Sequence, residues 1–241
     1  MIKGSRENID GKESFVSIIS AYSSDLKRTL GIEGIETGKE SEIGAARKVI
    51  EKLELKGVIM TGDALHATTE TMRLINKSEN KYILQIKKNR PAWHEECERI
   101  CSQEAPEDEY RSIEKNKGRV EIRRISVYEP SEKLKLKKLG ILKVIRVIRK
   151  EKVHYYFSSV IGTAKELGQI IREHWSVEVM HYFKDVLMEE DKGRTKKRVS
   201  AIILSLLRAF ALNVIFAAGF TSPTSFIRQY SHKIDDLLNF I

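Results

Sequence analysis

Short β-rich runs alternate with stretches of helical periodicity between residues 14 and 102, and this alternation constrains the fold more than any other feature. The segment from Ser14 to Tyr22 is short, apolar and rich in β-branched residues, which is typical of a strand. Apolar residues at helical spacing from Ile43 to Leu53 predict a helix over residues 40–53. The same reasoning predicts strands over residues 30–36, 58–60 and 82–86 and helices over residues 64–76 and 91–102. This order favours an α/β fold with a partly parallel sheet.

The pattern changes after residue 102. Strand-like runs with Lys and Arg in their connections predict a β-rich insertion, with strands over residues 119–128, 140–148 and 153–160. Long helices are predicted over residues 164–188 and 199–216. We therefore expect a single domain over residues 1–241, with an α/β core at 14–102, the insertion at 103–162 and C-terminal helices at 163–241 that close the core. The first dozen residues are polar and predict an irregular end.

The charge balance favours an acidic partner. The 241 residues include 43 Lys+Arg against 34 Asp+Glu, a net charge of +9, and nucleic acid is the commonest partner of such a chain. The alternative is a solvated surface, since acidic residues are interspersed. With 41% hydrophobic residues, a disordered or collagen-like chain is excluded. The two cysteines, Cys97 and Cys101, indicate a reducing, cytoplasmic setting.

Residues 199–220 are apolar enough to resemble a membrane span, but Arg208 lies near their centre. A central Arg costs about 2.5–3.5 kcal/mol on insertion scales. We therefore predict a buried helix of a globular protein and no membrane partner.

Four ionisable residues share one edge of the predicted helix that starts at Ala164. At about 100° per residue, His174, Glu178, His181 and Asp185 fall within an arc of roughly 60°. This stripe is either a functional face or a row of salt-linked side chains, and the spacing leaves both possibilities open.

Asp63 closes a short apolar strand just before a predicted helix. Ligands gather outside the carboxyl ends of strands in open α/β sheets, but Asp is also a favoured N-cap residue. Together, Asp63 and Glu178 suggest metal-assisted phosphoryl chemistry, because Mg²⁺ is held by one or two carboxylates together with phosphate oxygens. Sites with two ions commonly need a third carboxylate, on a strand beside the one that carries Asp63. Zinc and di-iron sites fit less well, since each needs a second ligand pair.

Several segments match the motifs of one family in order. They are Thr61-Gly62-Asp63-Ala64; Lys81 to Pro91, similar to Y-V-L-x-L-K-x-N-Q-P; Gly118 to Arg124, similar to G-R-x-E-x-R; and His174-Trp175-Ser176-Val177-Glu178 with His181, Tyr182 and Asp185, similar to H-W-x-I-E-N-x-x-H-W-x-x-D. On these residues, from about Lys3 to Ile215, the chain resembles bacterial insertion-sequence DDE transposases of the H-repeat-associated type.

The resemblance implies an RNase H-like mixed sheet flanked by helices, with the β-rich insertion before the Glu-bearing helix. It implies that Asp63 and Glu178 are the second and third members of an Asp-Asp-Glu triad that binds Mg²⁺ or Mn²⁺. The implied substrates are the ends of an insertion sequence and target DNA, which are cut by water and then joined through the freed 3′-hydroxyl. His174, His181 and Asp185 are expected to position the ligands.

The basic clusters supply the expected DNA contacts. We expect phosphate contacts from Lys87, Lys88 and Arg90, which follow a predicted strand near Asp63, and from Arg119, Arg123 and Arg124 in the β-rich insertion. We expect a protein that works at the bacterial nucleoid in the cytoplasm and that also self-associates.

The chain departs from the family's pattern at several points. Val179 stands where the family has Asn, and Tyr182 where it has Trp. The family's first Asp lies in an apolar strand before an Arg-Gly-Ser that Lys3-Gly4-Ser5 resembles, which places that strand upstream of Met1. Asp10-Gly11-Lys12 imitates the motif without an apolar strand before it.

We therefore expect an N-terminally truncated transposase that lacks the first strand and is defective in strand transfer. The alternatives are a non-enzymatic DNA-binding or dimerising remnant of a transposase and a metal-dependent nuclease of similar fold.

Overall fold

The chain forms two compact units. The computed structural model describes residues 2–9, 12–35, 41–116, 119–233 and 235–236. The central unit is Ile50–His174, and the terminal unit combines Met1–Val49 with Trp175–Ile241.

The described residues form nine strands and eight α-helices. The strands are β1 (Ile2–Ile9), β2 (Lys12–Ser23), β3 (Arg28–Ile35), β4 (Ile59–Gly62), β5 (Lys81–Ile86), β6 (Asp108–Asn116), β7 (Arg119–Tyr128), β8 (Lys143–Arg149) and β9 (Lys152–Ser158). The helices are α1 (Glu42–Leu53), α2 (Thr69–Lys77), α3 (Pro91–Gln103), α4 (Glu132–Lys135), α5 (Ala164–Glu173), α6 (Ser176–Tyr182), α7 (Arg198–Ala217) and α8 (Pro223–Tyr230). A π-helical turn, Phe183–Leu187, and a 3₁₀ turn, Glu190–Lys192, lie between α6 and α7.

A six-stranded mixed sheet organises the central unit, in the order β4-β5-β9-β8-β7-β6. The strands β4 and β5 are parallel, with Gly62 opposite Leu84, and the other neighbours are antiparallel. The predicted mixed sheet flanked by helices is therefore confirmed, and the β-rich segment after residue 102 extends this same sheet.

Apolar side chains fill both faces of the central sheet. Leu84 and Ile86 of β5 belong to a buried cluster with residues of α2 and α3, whereas Ile83 belongs to a cluster with residues of α5. Since successive strand residues point to opposite faces, the continuous apolar run in β5 serves both layers.

The helix α5 is held along the central sheet by polar contacts at both of its ends. Thr163 and Glu166 form a reciprocal capping box before the first turn, and the Ala164 N–H donates to Asp108 Oδ2 at 2.7 Å. At the other end, Arg172 pairs with Glu114 of β6. The last residues of α5 therefore lie toward the sheet end where β6 finishes.

The terminal unit is built on an antiparallel sheet in the order β1-β2-β3, against which α7 packs. Gly34 allows this contact, because a Cβ there would lie 2.3 Å from Ile202 Cδ1. Asn213 of α7 accepts from the Thr29 N–H at 2.8 Å and donates to the Thr29 carbonyl at 2.9 Å. The helix thereby replaces part of the hydrogen bonding that a further strand would give to β3.

By length and composition, α7 is apolar enough to cross a membrane, and 28% of its apolar stretch is buried within the protein. Val16 and Ala201 form the buried contact between α7 and the sheet. Val199, Ile203 and Phe210 are more than half exposed. The prediction that this helix is buried is therefore correct on one side only.

Two predicted boundaries need correction near the N-terminus and before α2. Residues 2–9 form a strand paired with β2, where the polar composition predicted an irregular end. The helix predicted from residue 64 begins at Thr69, since the Thr68 hydroxyl accepts the Thr71 N–H as an N-cap. Composition alone could not reveal β1, because its pairing with β2 supplies the order that its polar sequence lacks.

The helix predicted over residues 164–188 is also wrong as a continuous element. It divides at His174 and Trp175, and the Phe183–Leu187 segment then winds as a π turn. The common arc predicted for His174, Glu178, His181 and Asp185 assumed a regular helix, whereas only Glu178 and His181 share one α-helical segment.

A buried carboxylate ties α3 to the start of α4. The Glu96 side chain is only 6% exposed and accepts hydrogen bonds from Arg99 at 2.9 Å and Ser131 at 2.7 Å. Lys133 lies 3.3 Å from its other oxygen. The hydrogen bonds from Arg99 and Ser131 lower the pKa of Glu96 to about 2.

We predict that Glu96→Gln lowers the free energy of unfolding by about 2–3 kcal/mol at neutral pH. Because the pKa of Glu96 is lower in the folded state, its contribution is complete above about pH 4.5 and is lost as the pH falls to about 2. Denaturant unfolding across this range should show the two proteins converging in acid. Glu95→Gln, an exposed neighbour on α3, is the control and should cost less than about 0.5 kcal/mol. A penalty for Glu96→Gln that is the same at pH 2 and pH 7 would contradict the ionic origin.

Candidate metal and DNA-binding site at one end of the central sheet

Asp63 follows β4 directly, at the carboxyl end of the strand, as predicted. Its Oδ1 accepts the Leu65 N–H at 3.0 Å, and its carbonyl accepts the His66 N–H at 3.2 Å. Asp63 therefore caps a tight turn, while Thr68 caps α2. The alternative prediction that Asp63 is the N-cap of this helix is wrong.

The donor set at this position fits a hard cation. The Asp63 side chain is 56% exposed, and both contacts made by its carboxylate involve Oδ1. Within the described residues, Oδ2 makes no hydrogen bond, so it is available to a ligand. Mg²⁺ and Mn²⁺ favour carboxylate oxygens and retain several waters, so one such oxygen at an open strand end suits them.

The strand order constrains where a third carboxylate could lie. On one side β4 pairs with β5, which ends before Lys87 and Lys88 and brings no carboxylate to this point. Among the described strands, β4 has no neighbour on its other edge. A carboxylate carried by a strand beside β4 would therefore have to use that edge. No group of three His, Cys, Asp or Glu side chains suited to a metal forms within the described ranges.

The loop after β5 contacts the loop that carries Asp63. The Asn89 side-chain amide donates to the Ala64 carbonyl at 2.8 Å, and Arg90 Nε donates to the Ala67 carbonyl at 3.1 Å. Arg90, predicted to contact DNA, thus uses one of its donors within the protein.

His174 joins the end of α5 to β4. Its Nδ1 lies 2.8 Å from the Thr61 hydroxyl, two residues before Asp63. The expected positioning role of His174 stays a prediction. The contact nevertheless holds the end of α5 against β4.

His66 is a neighbour of Asp63 that the sequence patterns did not indicate as a site residue. Its Nε2 lies 3.9 Å from Asp63 Oδ1, and its buried Nδ1 has no hydrogen-bond partner in the part of the chain that the structure describes. The sequence signal was weak, because a single His three residues after an Asp is common in turns.

Glu178, His181 and Asp185 belong to the terminal unit, whereas Asp63 belongs to the central unit. Glu178 is exposed in the first turn of α6. Burial lowers the pKa of His181, and the nearby charge of Lys184 lowers it further. The charges of Asp185 and Glu178 raise it by less. His181 is therefore neutral at pH 7. The prediction that Asp63 and Glu178 bind the same metal stays a prediction.

Basic side chains gather at the sheet end that carries Asp63. Lys87 and Lys88 are exposed after β5, and the register places the end of β8 and the starts of β7 and β9 at this same end. These strands contribute Arg123, Arg124, Arg149 and Lys152. The described residues do not include the side chain of Arg119.

Glu121 restrains part of this basic group. It accepts from Arg123 Nε at 2.6 Å and from Arg149 Nη2 at 2.9 Å. Burial alone would raise the pKa of Glu121, but these two hydrogen bonds lower it, so the carboxylate is ionised at neutral pH. Arg124, which follows Arg123 on β7, is exposed and points to the opposite face.

His154 lies in a positive electrostatic field, on the same face of the central sheet as Arg149. Burial lowers its pKa, and the nearby charges of Lys87, Arg149 and Lys152 lower it further. The Gln85 amide lies 3.2 Å from His154 Nδ1. A neutral imidazole among three cations indicates a surface that favours an anion.

Comparison with known proteins identifies relatives over most of the chain. A family model described as "Transposase DDE domain" matches residues 4–214. The chain is 32% identical over 230 residues to "Putative protein YbfL" of Escherichia coli (strain K12), covering 85% of this chain and 60% of that protein. It is 31% identical over 230 residues to "H repeat-associated putative transposase YhhI" of the same organism, with the same coverage. The chain thus spans about 60% of the length of these curated relatives.

We predict a measurable coupling between Thr61 and His174. In a double-mutant cycle with Thr61→Val and His174→Ala, the coupling in the free energy of unfolding should be about 0.5–1.5 kcal/mol, the range of one net hydrogen bond. Thr61→Val combined with Ser102→Ala, which affects an exposed hydroxyl on α3, serves as the control and should be additive. Additivity in the first pair would show that the contact contributes nothing to stability.

Proposed function

Because the chain belongs to the transposase DDE domain family, we propose that it acts on DNA through divalent-cation-dependent phosphodiester chemistry, as part of a DDE transposase. The observation that supports this best is the end of the central sheet, where Asp63 follows β4 and exposed lysines follow the parallel neighbour β5. A turn-capping role would account for Asp63 alone. It would not account for the basic side chains that three further strands bring to the same end.

In this proposal, Asp63 and Glu178 hold Mg²⁺ or Mn²⁺. The ion, when bound, stabilises the charge on the attacking and leaving oxygens of the phosphodiester. The Leu65 N–H orients the Asp63 carboxylate through Oδ1 and leaves Oδ2 for a ligand. His181 is neutral at pH 7, so it does not compete with a cation for Glu178.

The basic sheet end would bind the DNA backbone. Lys87 and Lys88 are exposed and lie on the loop next to the one that carries Asp63, so phosphates bound there would lie near the proposed cation site. Arg123 and Arg149 are held by Glu121 and would contribute less until a phosphate competes for them. The binding expected from such contacts is tolerant of sequence and sensitive to salt.

We predict that the purified chain binds Mn²⁺ and that Asp63→Asn and Glu178→Gln each weaken this binding at least about tenfold, because each removes a charged oxygen ligand. Titration calorimetry or Mn²⁺ electron paramagnetic resonance measures the affinity. Asp25→Asn, in the exposed turn between β2 and β3, and Glu173→Gln, at the end of α5, are matched controls that should leave it unchanged. Equal affinities in all five proteins would overturn the proposed site.

The reaction itself is assayed with DNA that carries the ends of the element encoding the chain. Any cleavage or joining of this DNA should require a divalent cation and should be lost in Asp63→Asn and in Glu178→Gln, because both carboxylates are proposed to hold the ion. Asp10, the alternative third carboxylate, lies outside the described residues. Strand transfer that is lost in Asp10→Ala would assign Asp10 to the triad. Nicking without joining would favour a nuclease, and DNA binding with no metal-dependent reaction would favour a non-enzymatic remnant.

We predict opposite effects on DNA affinity from Lys87→Ala and Glu121→Gln. Lys87→Ala should weaken binding and reduce the slope of log affinity against log salt by about 0.9 for each lost phosphate contact. Glu121→Gln should tighten binding, because it releases Arg123 and Arg149 from their internal carboxylate. Fluorescence anisotropy of a labelled duplex at several salt concentrations measures both effects.

Lys165→Ala is the matched control for the DNA measurements. Lys165 is exposed beside Ala164, which is bonded to the start of β6 at the opposite end of the sheet. Its loss should leave the salt slope unchanged. Equal slopes for Lys87→Ala and Lys165→Ala would place DNA elsewhere on the protein.

A further inference from the structure

We propose that Asn89 and Arg90 are positioning residues that hold the Asp63 loop, residues 63–68, in the shape that presents its carboxylate to a cation. This role rests on the proposed function of Asp63. It assigns to the loop after β5 a task beyond the DNA contact expected of Arg90.

The Asp63 loop satisfies only part of its backbone hydrogen bonding by itself. Its internal hydrogen bonds use the N–H groups of Leu65, His66 and Thr68, which donate to Asp63 and His66. These bonds leave the carbonyls of Ala64 and Ala67 to be satisfied from outside the loop. Both alanines are almost fully buried, at 3% and 0% exposure, so water is a poor substitute partner.

Asn89 and Arg90 supply those two partners. The Asn89 amide donates to the Ala64 carbonyl at 2.8 Å, and Arg90 Nε donates to the Ala67 carbonyl at 3.1 Å. The two carbonyls lie one and four residues after Asp63, so the bonds hold both the start and the far side of the turn. Loss of either donor would leave a buried carbonyl without its partner and would favour rearrangement of the turn.

The residues that form these bonds are themselves anchored. The Arg90 N–H donates to the Lys87 carbonyl at 2.9 Å, and the Arg90 carbonyl accepts from Trp93 and His94 in the first turn of α3. Pro91 begins that helix, where its fixed φ favours the first turn. Arg90 is thus fixed at a helix start, and the exposed Asn89 precedes it in the turn that the Lys87–Arg90 bond closes.

The loop after β5 therefore carries two kinds of side chain. Lys87 and Lys88 are exposed, whereas Arg90 is half-buried and directs Nε to the Ala67 carbonyl. Asn89 donates to the Ala64 carbonyl through an uncharged amide.

The experiment compares Asn89→Ala with Asn76→Ala. Asn76 is a close structural match, because its side-chain amide donates to the carbonyl of the buried residue Leu139 at 2.7 Å. Hydrogen exchange of the Leu65, His66 and Thr68 amides reports the shape of the loop without any metal. We expect these amides to exchange at least about tenfold faster in Asn89→Ala and at the wild-type rate in Asn76→Ala.

Mn²⁺ affinity tests the consequence for Asp63. Loss of a residue that supports a metal ligand typically weakens metal binding about 10–100-fold, and we expect a loss in this range for Asn89→Ala but not for Asn76→Ala. Wild-type exchange and wild-type Mn²⁺ affinity in Asn89→Ala would overturn the inference. Mn²⁺ binding that is unaffected by Asp63→Asn would instead overturn the proposed function, while the exchange measurement would still decide whether Asn89 holds the loop.

Two further variants separate positioning from other effects. Arg90→Ala should accelerate exchange of the loop amides, whereas a residue that only contacts a phosphate would reduce the salt slope of DNA binding by about 0.9 and leave the exchange unchanged. A reduced slope with unchanged exchange would assign Arg90 to DNA and contradict its positioning role. If Asn89→Ala destabilises the protein more than Asn76→Ala, Asn89→Asp keeps the side-chain shape but lacks the donor, and its exchange rates decide the question.

Discussion

The parallel pairing of β4 with β5 is the contact on which the chemistry of the central unit depends. Parallel strands finish at the same end of a sheet, so Asp63 after β4 lies beside residues 87–90 after β5. An antiparallel pair would have placed these two loops at opposite ends. The pairing therefore creates the bonds from Asn89 and Arg90 to the Asp63 loop and brings exposed lysines close to a carboxylate.

The antiparallel part of the sheet adds basic residues to this same end. The turn between β8 and β9 is only two residues long, and both of them, Lys150 and Glu151, have positive φ values of 47° and 63°. Such a tight turn matches the right-handed twist of the flanking strands, although neither residue is glycine and each is therefore strained. The strain is tolerated where it places Arg149 and Lys152 opposite each other.

Sequence patterns predicted the elements that have a clear apolar periodicity. They failed for elements whose structure depends on pairing with another strand. The apolar run at Tyr82 to Ile86 and the strand-end position of Asp63 were both predicted correctly. The charged edge strand β6 was missed, because its order comes from β7 rather than from its own composition. The bonds made by Asn89 depend on the register of two strands and could not be predicted. In contrast, Glu121 and Arg123 lie two residues apart on a strand, a spacing that already places them on one face.

Glu121 stabilises a pair of arginines that belong to the proposed DNA-binding surface. Arg123 and Arg149 lie directly opposite each other on neighbouring strands, an arrangement of like charges that would destabilise the sheet. Glu121 removes this repulsion by accepting a hydrogen bond from each. Lys87, on the same side as His154, has no carboxylate partner among the residues that the structure describes and keeps its charge available. In the proposed function, a bound phosphate would therefore meet Lys87 first and compete with Glu121 for Arg123 and Arg149 second.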